Sequence, residues 1–216
     1  MAKKIYETTG MFIDWSQLKN LPAIDTLIDV GVGSDGTPDL YEKFKTQKLI
    51  LIDPLDEAEK YSKLNLAHRD VTFHKLALGS VDNTKGIISV QGELGNSSLL
   101  EASKINYEDI SEDKREVEIM QLDTLLVNEL ELGKIGIKID VEGFELDVIK
   151  GARNTLKFTE FVLAEVRHNY ESFKGVYKLQ DFILEMHKNN FILTMILTTK
   201  PFIADLCFQR IDKITL

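Results

Sequence analysis

The chain is short of cysteine. Cys207 is the only one in 216 residues, so no internal disulfide can form. It stands in an apolar run and reads as a small buried hydrophobe rather than a nucleophile. Histidine is scarce too: His68, His74 and His187 have no metal-ligand spacing with a cysteine, so no zinc site is argued and no metal is assigned. Long apolar runs are missing. None approaches the ~20 residues that cross a bilayer, and the first residues have no apolar core of signal-peptide length. The expectation is a soluble, cytoplasmic protein with no membrane span. Positive charge is in deficit, with 26 Lys and Arg against 35 Asp and Glu and a net charge of −9. That balance argues against a nucleic-acid binder that tracks phosphates. No repeat, low-complexity tract or linker divides the chain.

What is present is enough to build a core. Hydrophobic residues make up 44% and charged residues 28% of the chain, and its length suits one α/β domain better than two. Residues 1–25 read as an N-terminal extension in which Phe12, Ile13, Trp15 and Leu18 cover one edge of the domain that fills 26–216. Strands are expected at 26–30, 48–53, 71–78, 135–141, 161–166, 191–197 and 203–209. Helices are expected after Pro38 and over 55–67, 123–131, from 144 onward and over 178–189. The segment 80–122 breaks this alternation and reads as an insertion of strands and a loop. The last two strands are joined by a connection too short for a crossover helix, so they are antiparallel neighbours.

The stretch 26–38 organises the rest. An apolar strand ends in Asp29, and Gly31, Gly33 and Gly36 follow in a G-x-G-x-x-G turn that leads into a helix opened by Pro38. Such a turn lets a ligand approach the backbone. It suits a dinucleotide or S-adenosylmethionine. Asp29, two residues before the first glycine, favours a cationic ammonium group and opposes a pyrophosphate. Asp53, at the end of the second strand, can accept hydrogen bonds from two ribose hydroxyls and serves either ligand. The terminal antiparallel hairpin is atypical of a dinucleotide fold.

A second anomaly lies at 137–142. A central parallel strand is expected to be apolar on both faces. Here Lys138, Asp140 and Glu142 alternate with Ile137, Ile139 and Val141, and a period of two puts the three charges on one face. They form either a structural network or a functional group at the carboxyl edge of the sheet. Glu165 repeats the pattern in the next strand, with Arg167 and His168 beyond it. His168 is a candidate general base for a hydroxyl.

These residues together carry a family resemblance. Asp29-Val-Gly-Val with the following Gly-Thr-Pro-Asp-Leu-Tyr-Glu-Lys-Phe, Gln121-Leu-Asp-Thr-Leu, and the block from Ile137 to Ala152 resemble the FkbM-type S-adenosylmethionine-dependent methyltransferases. Leu163-Ala-Glu-Val-Arg-His and the serine motif Asn96-Ser-Ser-Leu are similar as well. The glycine turn is one residue longer than the family form, with Ser34 and Asp35 displaced. The resemblance implies a Rossmann-like class I methyltransferase fold, a seven-stranded mostly parallel sheet with strand 7 antiparallel. It implies S-adenosylmethionine as cofactor and O-methylation of a small-molecule or carbohydrate hydroxyl acceptor. By the same analogy Asp29, Gly31 and Gly33 line the methionine end of the cofactor and Asp53 its ribose. Leu78 and Ser98 join the cofactor contacts. Asp140 and Glu142 face the methyl-transfer site, with a divalent ion between them left open. Two rivals remain at this point: an NAD(P)-dependent oxidoreductase using the same turn, and a non-catalytic module that keeps the pocket as scaffold.

Overall fold

The computed structural model describes residues 13, 17–44, 48–90, 97–101, 113–129, 132–168, 173–199 and 202–213. Phe12, Trp15 and Asn96 lie outside them. Seven strands form one sheet: β1 (Thr26–Val30), β2 (Lys48–Ile52), β3 (Asp70–His74), β7 (Ile135–Ile139), β8 (Thr159–Arg167), β9 (Phe191–Thr199) and β10 (Ile203–Arg210). Their order is β3-β2-β1-β7-β8-β10-β9. The pairs from β3 through to β8 are parallel, and β10 runs antiparallel to both of its neighbours. The chain reverses direction on the sheet at β1, between β2 and β7. Crevices at such switch points are where open α/β sheets bind ligands.

Period-two alternation sorts the core into two halves. Ile28, Val30, Ile50, Ile52, Ile137 and Ile139 point to one face, where α4 (Glu145–Lys150) and α5 (Leu179–Lys188) add Val148, Ile149, Phe182 and Met186. Leu27, Leu49, Leu51, Phe161 and Leu163 point to the other, under α1 (Pro38–Lys43) and α2 (Asp56–Asn65). Each fully buried side chain of this kind contributes roughly 1.5–3 kcal/mol relative to exposure. Leu18 and Ile13 pack into the second half. Cys207 is fully buried there, and burial pushes its thiol up to about 11, as suits a core hydrophobe. The pairing of β7 with β8 is tight at Gly136, where a Cβ would lie 2.5 Å from the Phe161 ring.

Several boundaries differ from the sequence reading. The expected strand at 71–78 breaks at Lys75. Its first part is β3, and Ala77–Leu78 is β4 of a second, three-stranded sheet. There β6 (Lys114–Met120) is parallel to β4 and antiparallel to β5 (Thr84–Ser89). The expected helix at 123–131 is one turn, α3 (Leu122–Leu125). Helix α4 stops at Lys150 because Gly151 presses on another strand end: a Cβ at Gly151 would lie 2.0 Å from the Gly79 carbonyl oxygen. The apolar positions beyond it continue in a 3-10 turn at Thr155–Phe158. No helix among the described residues is long and apolar enough to cross a membrane.

Candidate active site

Two turns meet at the carboxyl end of the sheet. The first follows β1. Gly31, Gly33 and Gly36 all take positive φ, at 84°, 63° and 61°. Gly31 is irreplaceable on steric grounds, since a Cβ there would sit 1.7 Å from the Asp140 carbonyl oxygen. Gly33 instead opens onto free space, with Asp35 the nearest group at 3.8 Å.

Both acids of the sequence motif are spent on holding this turn. Asp53 Oδ2 accepts hydrogen bonds from the Val32 and Gly33 amides, each at 2.9 Å, and its Oδ1 accepts from the Leu55 amide at 2.8 Å. Burial raises its carboxyl pKa and those three amides oppose the rise. A carboxylate offers about four lone-pair sites, so most of its capacity is taken. Asp53 still lines the cavity described below.

Asp29 is fully buried and is not part of the cavity wall. Its Oδ2 accepts from the Tyr41 hydroxyl at 2.5 Å and the Thr37 hydroxyl at 3.2 Å. Its Oδ1 faces Lys138 Nζ at 3.2 Å. The cation that this carboxylate holds is therefore the chain's own lysine, because the parallel register sets Asp29 opposite Lys138. Burial raises the Asp29 pKa while Lys138 and Tyr41 pull it back. Burial likewise disfavours the Lys138 ammonium, but the Asp29 and Asp140 carboxylates outweigh it and the lysine pKa is raised.

The second turn follows β7. The strand ends at Ile139, so Asp140 and Glu142 reach the cavity through a turn and not by simple alternation along a strand. Glu142 and Gly143 have φ of 52° and 100°. A left-handed non-glycine residue costs roughly 1–2 kcal/mol, and Glu142 is clamped there from three sides. The Ser98 hydroxyl donates to its carbonyl at 2.6 Å. Arg167 forms an ion pair with its carboxylate and stacks over the Phe173 ring at 4.6 Å. Glu145 Oε1 accepts from the Val141 amide at 3.2 Å and the Gly143 amide at 2.9 Å, while the Tyr177 hydroxyl donates to Oε2 at 2.8 Å. Burial pushes the Glu145 carboxyl up to about 7 against those donors. Sequence reasoning passed over Glu145, Tyr177 and Arg167 as an organising set. The Glu-Gly-Phe-Glu spacing was the available signal.

Between the turns lies a cavity of about 480 Å³. Gly31, Gly33, Asp53, Leu78, Asp140 and Glu142 line it, and Ile52, Pro54, Leu76 and Ala77 give it an apolar wall. Of the remaining candidates, Ser98 acts on the Glu142 carbonyl and the Leu100 amide rather than forming the wall, where Ser97 and Leu99 stand. His168 is exposed and outside the described wall, with its amide donating to the Phe202 carbonyl. Asp35, Asp39, Glu165 and Asp205 bring the acids of the wall to seven, against one base, Lys138. Carboxylate oxygens of Asp140, Glu142 and Glu165 lie within 4.8 Å of one another. Glu165 and Asp205 are direct cross-strand partners, an arrangement that like charges oppose. Asp205 also accepts a hydrogen bond from the Thr198 hydroxyl. This cavity rewards cationic and hydroxyl-bearing ligands and penalises a pyrophosphate.

The strand order, the antiparallel β10 and a glycine turn at the switch point define a class I methyltransferase fold. A family model for the methyltransferase FkbM domain matches residues 29–193, and the chain belongs to that family. S-adenosylmethionine is its cofactor. Among solved structures, a protein of Listeria monocytogenes assigned as an S-adenosylmethionine-dependent methyltransferase is similar at 11% identity, over 91% of this chain and 97% of that one, with a TM-score of 0.51. The ribosomal protein L11 methylase of Lactobacillus delbrueckii subsp. bulgaricus matches at 14% identity over 90% of this chain and 73% of its own, with a TM-score of 0.47. A search of curated proteins returned no significant match. The Listeria structure bears on the fold, and family membership sets aside the oxidoreductase alternative.

Proposed function

We propose that the protein transfers a methyl group from S-adenosylmethionine to a hydroxyl of a sugar, polysaccharide precursor or other small natural product. The observation that carries this reading is the carboxylate group of Asp140, Glu142 and Glu165 at the carboxyl edge of the sheet, beside the glycine turn. The cavity fits the cofactor in size and chemistry, since ligand sites run from ~300 to ~1,000 Å³. Gly33 leaves the backbone open to it, the apolar wall around Leu78 suits an adenine ring, and the acids suit its cationic end. Asp53 offers the ribose what capacity the three amides leave.

When bound, the cofactor supplies an electrophilic methyl on a sulfonium. The chain supplies alignment and a proton acceptor. Asp140 and Glu142 accept hydrogen bonds from the acceptor hydroxyl, and one of them takes its proton as the oxygen attacks. Glu165 and Asp205 offer further acceptors for neighbouring hydroxyls. His168 has no part in this scheme.

The test incubates the purified protein with S-adenosylmethionine and a panel of mono- and oligosaccharides, phenols and amines. S-adenosylhomocysteine should form with a hydroxyl acceptor and not with its O-blocked counterpart. Methylation confined to amines would overturn O-methylation. Cofactor binding with no turnover on any acceptor supports the non-catalytic module instead.

A further inference from the structure

Lys138 pairs with buried Asp29 through the strand register, and it also lines the cavity. The cofactor carries one anionic group at its methionine end, the α-carboxylate. Seven acidic side chains line the cavity, and a carboxylate entering among them needs a cation or free amides. Among the described residues of the wall, Lys138 is the single basic side chain. It is 11% exposed and lines this cavity.

The ammonium is held loosely for a buried cation. It donates to the Gly31 carbonyl at 3.0 Å, and its ion pairs with Asp29 and Asp140 span 3.2 and 3.5 Å. Charge-assisted N–H···O bonds ordinarily measure about 2.7–2.9 Å. The longest of the three, to Asp140, is the one that an incoming carboxylate would replace. The bond to Gly31 keeps the lysine at the start of the glycine turn throughout.

We propose that Lys138 binds the α-carboxylate of the cofactor's amino-acid end, so that the carboxylates around it receive the cationic groups. This rests on S-adenosylmethionine being the cofactor. The rival is that Lys138 only bridges the two turns.

Calorimetry on the full chain separates these with three probes: S-adenosylhomocysteine, its decarboxylated analogue S-adenosyl-3-thiopropylamine, and 5′-methylthioadenosine, which lacks the amino-acid end. In Lys138→Met, affinity for S-adenosylhomocysteine should fall roughly 10- to 100-fold, the size of a hydrogen bond to a charged group, while affinity for methylthioadenosine stays within about twofold. Lys138→Arg should recover part of the loss. Equal loss for both ligands, or no loss for S-adenosylhomocysteine, would overturn the assignment. Lys138→Met leaves Asp29 buried without its cation, so Asp29→Asn/Lys138→Met is made alongside it. The wild-type protein gives an independent answer: binding the decarboxylated analogue as tightly as S-adenosylhomocysteine also overturns the proposal. Wild-type protein that binds neither S-adenosylhomocysteine nor methylthioadenosine refutes the cofactor itself, a separate failure.

Discussion

The two turns that face each other across the cavity are built on one device with opposite contents. Each is stapled by a buried carboxylate that gathers two nearby amides. Asp53 takes those of Val32 and Gly33, and Glu145 takes those of Val141 and Gly143. In the first turn every left-handed position is a glycine, so it presents backbone. In the second, a glutamate occupies one such position and the turn presents a carboxylate. On the proposed function, the first turn shapes a binding surface and the second carries the chemistry. Strained non-glycine residues persist where the surroundings over-determine them. Ser98, Arg167 and Glu145 do that for Glu142.

Breaking the contact between the turns should have the largest effect. Gly31→Ala drives a Cβ into the Asp140 carbonyl at a positive φ. Overpacking and left-handed strain together predict a loss of roughly 3–5 kcal/mol. Gly33→Ala meets open space and should cost only about 1 kcal/mol. Denaturant unfolding of both variants checks the contrast, and equal losses would show that the turns do not touch as described.

Burial raises the carboxyl pKa of both staples, and that of Glu145 reaches about 7. The native protein keeps a proton on Glu145 up to about pH 7, whereas the unfolded chain releases it near 4.5. Between those values the native state binds more protons, so this group's contribution to stability declines as pH rises. The decline amounts to roughly 3 kcal/mol, at 1.36 kcal/mol per pH unit. Glu145→Gln should flatten that slope. Unfolding free energies measured from pH 4 to pH 8 should lie closest for wild type and variant at the acid end, where Glu145 is neutral as Gln is, and separate toward pH 8 as wild type loses stability; parallel curves would remove Glu145 as the source.

A smaller effect than that of Gly31 or Glu145 concerns what lies behind the first turn. Tyr41→Phe removes one of the donors to buried Asp29 and should cost about 1.5 kcal/mol. Because Asp29 does not line the cavity, affinity for S-adenosylhomocysteine should change little. A large affinity loss without a matching stability loss would return Asp29 to the ligand.

Much of this was legible beforehand. The buried parallel strands declared themselves as apolar runs, and the short link from Thr198 to Phe202 required an antiparallel pair. Gly31 and Gly33 were singled out by their spacing, and Asp140 and Glu142 by charges where a central strand should have none; all four line the cavity. The break in the expected strand 71–78 was not legible, because a two-residue β4 exists only by pairing with β6. Nor was the true company of Asp29. Its carboxylate meets Lys138 through a register between strands more than a hundred residues apart. Ser98 was assigned to the cofactor from its motif, and its hydroxyl instead braces the turn that carries Glu142.

The order of elements, the two-sided sheet and the positions of its acids were determined by the sequence alone, because hydrophobic period, turn residues and charge placement act locally. Which acids face the ligand and which are consumed within the protein was decided by tertiary structure. Burial makes every carboxylate seek donors, and only the folded chain determines whether amides, a tyrosine or a lysine reach it first.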